Sequence, residues 1–172
     1  MTETQQYYNQ VETIALAGLN AEQSTDATPY IRTLVDDWLN QADDNSPLDA
    51  KDLVRIGLSD LERDIAGKTG EERLATLQSL AYEPIVQRTA GQALELAKQV
   101  ADGTVSRQSV APEAEQLHAR IQTLIQEVKS FKDETNRRLL MRNLTDGDLE
   151  IRYVLEEEEG AISIRLNRYI NS

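Results

Sequence analysis

A chain of 172 residues is long enough to bury one core and short for two, so a single domain is expected. With 40% hydrophobic and 28% charged residues the composition excludes a disordered chain, and only 5% aromatics point to a core of Leu, Ile, Val and Ala, suited to helix-on-helix packing. A formal net charge of -12 opposes generic binding to a phosphate backbone, and the absence of cysteine removes disulfides, thiolate metal sites and thiol nucleophiles.

The opening "MTETQQYYNQ" has neither the basic nor the apolar region of a secretory signal. No apolar run approaches the ~18 to 20 residues needed to span a bilayer. A soluble, cytoplasmic protein is expected. Residues 1 to 50 carry one basic side chain, Arg32, against nine acidic ones, a field that serves solubility or faces a basic partner.

The first segment, Thr2 to about Leu19, places Tyr7, Val11, Ile14 and Ala15 at helical spacing and ends at Gly18-Leu19-Asn20. The polar "NAEQSTDAT" lacks periodicity and reads as a loop. Thr28-Pro29 then opens a second helix, because threonine offers a capping oxygen and proline at the first helical position loses no needed hydrogen bond. Its stripe is Ile31, Leu34, Val35, Trp38 and Leu39, with the lone tryptophan as a core anchor. "DDNSP" ends it as a turn, and a third helix from about Asp49 carries Leu53, Ile56, Leu58, Leu61 and Ile65.

Gly67-Lys68-Thr69 repeats the end of the phosphate-cradling loop of nucleotide hydrolases. That loop needs a second glycine five residues earlier, after a strand. Here the position is Glu62, within a helix, and its carboxylate would oppose a phosphate. The triplet is expected to be a turn, with Gly67 ending one helix and Glu71 and Glu72 favouring the positive end of the next helix dipole.

The fourth helix runs through Leu74, Leu77, Leu80 and Ala81 to Pro84, where a kink or break is expected. A further helix follows with Ile85, Ala93, Leu94, Leu96, Ala97 and Val100, stopped by Asp102-Gly103. The small residues Ala90, Gly91, Ala93 and Ala97 mark a packing face. Asp102 to Pro112 reads as a long connection, and Pro112 starts the longest helix, about Glu113 to Asn143. In it Leu117, Ile121, Leu124, Val128 and Phe131 alternate spacings of four and three. Arg137, Arg138 and Arg142 sit near its carboxyl end, where they favour the dipole and form the chain's candidate basic patch.

The last segment changes period. Leu149, Ile151, Tyr153 and Leu155 alternate with Glu150, Arg152 and Val154, and after "EEEEGA" Ile162, Ile164 and Leu166 alternate with Ser163, Arg165 and Asn167. Pairing Leu155 with Ile162, Tyr153 with Ile164 and Ile151 with Leu166 puts the apolar side chains on one face of a hairpin. The expected fold is therefore mainly α: a bundle of about five to six helices over residues 1–145 with an antiparallel β-hairpin over 146–172. A lone hairpin is marginal in water, so its apolar face is a candidate surface for a partner, for a second copy, or for the chain's own bundle.

No residue pattern identifies a reaction. His118 is the only histidine, which leaves no His-metal cluster and no His-based catalytic relay within one chain. Glu156 to Glu159 lack the spaced oxygens of a calcium loop. No catalytic, cofactor-binding or metal-ligating residue is assigned and no cofactor is expected. The reading is a non-enzymatic interaction protein, an assembly factor, adaptor or complex subunit that binds a protein or itself. Its rivals are a nucleic-acid-linked protein, using Arg137, Arg138 and Arg142 or acidic mimicry of a phosphate backbone, and an enzyme with a carboxylate-based or intersubunit site.

Overall fold

The computed structural model describes residues 2–43 and 45–155, and among them it contains six α-helices and no strand. They are α1 (Glu3–Ala15), α2 (Ala21–Asn40), α3 (Ala50–Ile65), α4 (Gly70–Ala101), α5 (Arg107–Val128) and α6 (Glu134–Leu155). Four start on side-chain caps. Thr2, Asn20, Asp49 and Ser106 each accept a hydrogen bond from the backbone N–H three residues on.

Among the described residues the expected β-hairpin is not formed. Leu149, Ile151, Tyr153 and Leu155 belong to α6, while Ile162, Ile164 and Leu166 lie outside the described residues. The alternation over 149–155 is overridden by a longer helical stripe. Leu140, Leu144, Gly147, Ile151 and Val154 recur every three or four residues and are all buried. Seven residues fit both periods; the fifteen from Leu140 to Val154 fit only one.

Four other boundaries differ from the sequence reading, one of them the start of α5, which is capped by Ser106 and holds Pro112 inside the helix instead of at its start. The supposed loop after Asn20 is helix, because Asn20 and Gln23 form a reciprocal capping box: Gln23 N donates to Asn20 Oδ1 at 2.8 Å and Asn20 N to Gln23 Oε1 at 3.1 Å. Pro29 accordingly stands inside α2 rather than at its start. Pro84 does not end α4, which runs unbroken from Gly70 to Ala101. The long helix expected over 113–143 is two, because the chain leaves α5 after Val128 and re-enters a helix at Glu134. Phe131, in that break, is 2% exposed and makes edge contacts with Tyr82 at 4.9 Å and Tyr30 at 6.1 Å between ring centroids. Burying the chain's only phenylalanine in this aromatic cluster offsets the helical hydrogen bonds lost.

The helices form two compact units: Met1–Ile85 with Phe131–Glu134, and Val86–Ser130 with Thr135–Ser172. In the first, α1, α2 and α3 pack pairwise around Val11, Ala15, Ile31, Val35, Val54, Leu61, Ile65 and Leu77. Arg73 is its polar keystone. The guanidinium is buried and donates to Ala15 O at 3.0 Å, Ile65 O at 3.2 Å, Lys68 O at 2.9 Å and to Ile14 O. One cation thus satisfies carbonyls at the C-termini of both α1 and α3, where the helix dipoles are negative. Burial lowers the guanidinium's pKa, yet arginine keeps its charge.

The Gly67-Lys68-Thr69 triplet is part of this junction. Gly67 takes φ +75°, Lys68 Nζ donates to Thr76 Oγ1 at 3.0 Å, and the neighbouring Gly70 N donates to Gly18 O at 3.2 Å. It is the turn between α3 and α4.

In the second unit Ala93 and Ala97 are fully buried and Gly91 is exposed, so the expected small-residue face is carried by alanines. A Cβ on Gly147 of α6 would lie 3.3 Å from Ala90 Cα and 3.5 Å from Ile121 Cδ1. That close approach explains why a glycine stands in mid-helix, where it costs about 1 kcal/mol in propensity.

Candidate functional site

Within the first unit, α2, α3 and the first half of α4 leave a groove of about 190 Å³. Its floor is Leu34, Trp38, Leu61, Leu80 and Pro84, and charged side chains of Asp60, Arg63, Asp64 and Glu83 stand around it. Trp38 sits at helical spacing from Leu34 and Val35, but it is only half-buried because it lies at the end of the stripe. Its indole is held flat against the backbone of α3. A Cβ on Gly57 would be 2.3 Å from Trp38 Cε2 and 2.5 Å from Cδ2, so only glycine admits the ring there. The half-buried indole thus packs on α3 at Gly57 and against the core while it lines the groove.

Arg63 is shared between two acids, with Nη1 3.4 Å from Asp60 and Nε 3.3 Å from Asp64. All three are substantially exposed, and such pairs are worth ~0–1 kcal/mol. Asp60 and Asp64 thus share one cation, and Glu83 also lines the groove.

A second, larger groove of about 520 Å³ runs between α1 and α3. Its charges balance, with Glu3 and Glu62 against Lys51 and Arg55. Tyr7 donates its hydroxyl to Glu3 Oε1 at 2.5 Å, and that bond, with burial and the glutamate charge, pushes the phenol up to about 12. Tyr8 donates to Asp36 across to α2 and is likewise pushed up to about 12, chiefly by that bond.

The other polar constellation is in the second unit and was missed by the sequence reading. Asp148, 6% exposed, has Oδ1 3.0 Å from both His118 Nδ1 and Gln122 Nε2, and Oδ2 2.9 Å from Arg152 Nη2. A carboxylate can only accept, which assigns the proton to His118 Nδ1. Asp148 is engaged by three donors on α5 and α6, so the group clamps these helices together. Neither His118 nor Asp148 could be paired from the sequence, because the contact spans a helix break.

The residues singled out from sequence are dispersed. Leu149 is 46% exposed, Ile151 and Tyr153 are buried at 0% and 4%, and Leu155 is half-buried, so they do not form one apolar face. Tyr153 instead lies under the Arg107 guanidinium, 4.6 Å from its ring centroid. Arg137 is half-buried, whereas Arg138 and Arg142 are exposed one turn apart in the first half of α6 rather than at the end of a helix. Among the described residues no group of three or more His, Cys, Asp or Glu could hold a metal ion, and no helix is long and apolar enough to cross a membrane. Comparison with known proteins returned no match to a family model, a curated protein or a solved structure.

Proposed function

We propose that this chain is a protein-binding module, an adaptor, assembly factor or complex subunit without catalytic activity of its own, and that its binding face is the Trp38 groove. One observation carries the reading: an apolar floor with a half-buried indole opens to solvent between charged banks. Partially exposed tryptophan in such a setting is the residue type that anchors protein interfaces, because it offers large contact area with little rotamer entropy to lose. The groove is smaller than the ~300–1,000 Å³ of small-molecule and cofactor sites, which favours a partner's side chain over a free ligand.

The test is site-directed photo-crosslinking in the full chain, with a benzophenone amino acid replacing Arg63 at the groove or, as control, Leu149 on α6. A discrete adduct to one polypeptide from position 63, absent from position 149 and lost in a folded Trp38→Ala variant, is the expected result. Equal, diffuse labelling from both positions would refute the reading.

A further inference from the structure

Independently of the Trp38 groove, we propose that the Arg107 guanidinium anchors the chain's own C-terminal segment by binding a carboxylate of the run Glu156 to Glu159. The state of Arg107 carries this. Its Nη1 is shut off from water and, among the described residues, has no hydrogen-bond partner. Buried polar nitrogens are as a rule satisfied, so an orphan calls for an explanation. Arg107 is also the first residue of α5, where the positive end of the helix dipole disfavours a cation. Its Cζ stands 4.6 Å from the ring centroid of Tyr153, in the last turn of α6. The ring face attracts the charge but leaves the in-plane N–H groups without an acceptor.

What this position offers is acid. The helix α6 ends at Leu155, and the next four residues of the sequence are all glutamate. They follow the negative end of the α6 dipole and repel one another, so a cation held at that end relieves both costs. Glu156 is three residues beyond Tyr153, and three peptide units span at most about 11 Å, which keeps the start of the run near Arg107. A carboxylate presents two acceptor oxygens to the guanidinium fork, the pairing that arginine favours. The neighbouring groups of α6 are already engaged. Asp148 accepts from His118, Gln122 and Arg152, which occupies Arg152 as well, and Glu150 has an interaction of its own. Arg107 is therefore the cation left for the glutamate run.

The Arg107 Nε–Hε resonance of the full chain, assigned by its loss in Arg107→Lys, reads the pairing directly by NMR. Replacing Glu156, Glu157, Glu158 and Glu159 together by glutamine should shift that resonance while the circular dichroism stays unchanged. Arg107→Gln should in turn speed cleavage within the run by a glutamate-specific protease several-fold, because a paired carboxylate is withheld from the protease. A resonance unmoved by the glutamine replacements would overturn the proposal and leave Arg107 a stacking partner of Tyr153 alone. A resonance moved by added inorganic phosphate or acetate but not by the glutamine replacements would overturn it in favour of a free anion. Equal cleavage of the Arg107→Gln and unsubstituted chains would overturn it as well.

Discussion

Arg73 shows how one side chain can terminate two helices. Its guanidinium holds carbonyls of Ile14 and Ala15 at the end of α1, of Ile65 at the end of α3 and of Lys68 in the following turn. Lysine has no planar fork to reach several carbonyls at once. Arg73→Lys should therefore leave buried carbonyls unsatisfied and cost about 2–4 kcal/mol, read as a lower urea midpoint with an unchanged slope. A loss below about 0.5 kcal/mol would show that water replaces the guanidinium. Tyr7 and Tyr8 give a second test at this scale. Each phenol is raised from 10.0 to about 12, so the folded state favours its protonated form. The stability these bonds contribute is fully present below pH 10 and is lost as pH rises from about 10 to about 12. A spectrophotometric titration should show phenolate appearing near pH 12, and the Tyr7→Phe, Tyr8→Phe double variant should lose that phase.

At the scale of elements, α6 separates a helix from a strand experimentally. On one face of a hairpin Leu149 and Ile151 would be equivalent. On α6 they are 46% and 0% exposed, and Glu150 between them is 1% exposed. Leu149→Ala should change stability by less than about 0.5 kcal/mol, whereas Ile151→Ala should cost about 2–5 kcal/mol. Equal costs in chemical denaturation would restore the strand. The same comparison explains why the α5–α6 break was illegible. Val128 and Phe131 continue the spacing of the preceding leucines and isoleucines, but Val128 belongs to the second unit and Phe131 to the first. Periodicity counts apolar residues without recording which core receives them. Asp133 and Glu134, acids at the start of α6, were the available signal, since they favour a helix N-terminus.

For the whole molecule the dominant long-range quantity is the net charge of -12. Self-repulsion destabilises a compact acidic chain, and salt screens it over a Debye length of ~10 Å at 0.1 M. Raising ionic strength from ~0.01 M to ~0.2 M should increase the melting temperature by roughly 2–4 °C, the equivalent of about 1 kcal/mol for a chain of this size. The exposed pairs Arg55–Asp52 and Arg63–Asp60 contribute too little to reverse that sign. A melting temperature that falls with salt, followed by circular dichroism, would show that attractive pairs outweigh the repulsion.

What the sequence by itself determined is what local chemistry controls: helical stripes such as Ile31, Leu34 and Val35, the Gly67 turn, and the lack of thiol or multi-histidine chemistry. Capping at Asn20 was equally local and was legible in its Asn-x-x-Gln spacing, although Pro29 drew the helix start away from it. Only tertiary structure decided the rest. Residues 149–155 fit a period of two and a period of 3.6 equally well, and packing of α6 chose between them through Gly147 against Ala90 and Asp148 against His118. The Trp38 groove was decided in the same way, because its shape depends on Gly57 lying under an indole nineteen residues earlier in the chain. Periodicity reports which face of a segment is apolar; which neighbour covers that face, and whether one side chain is left open to solvent, is a property of the assembled chain.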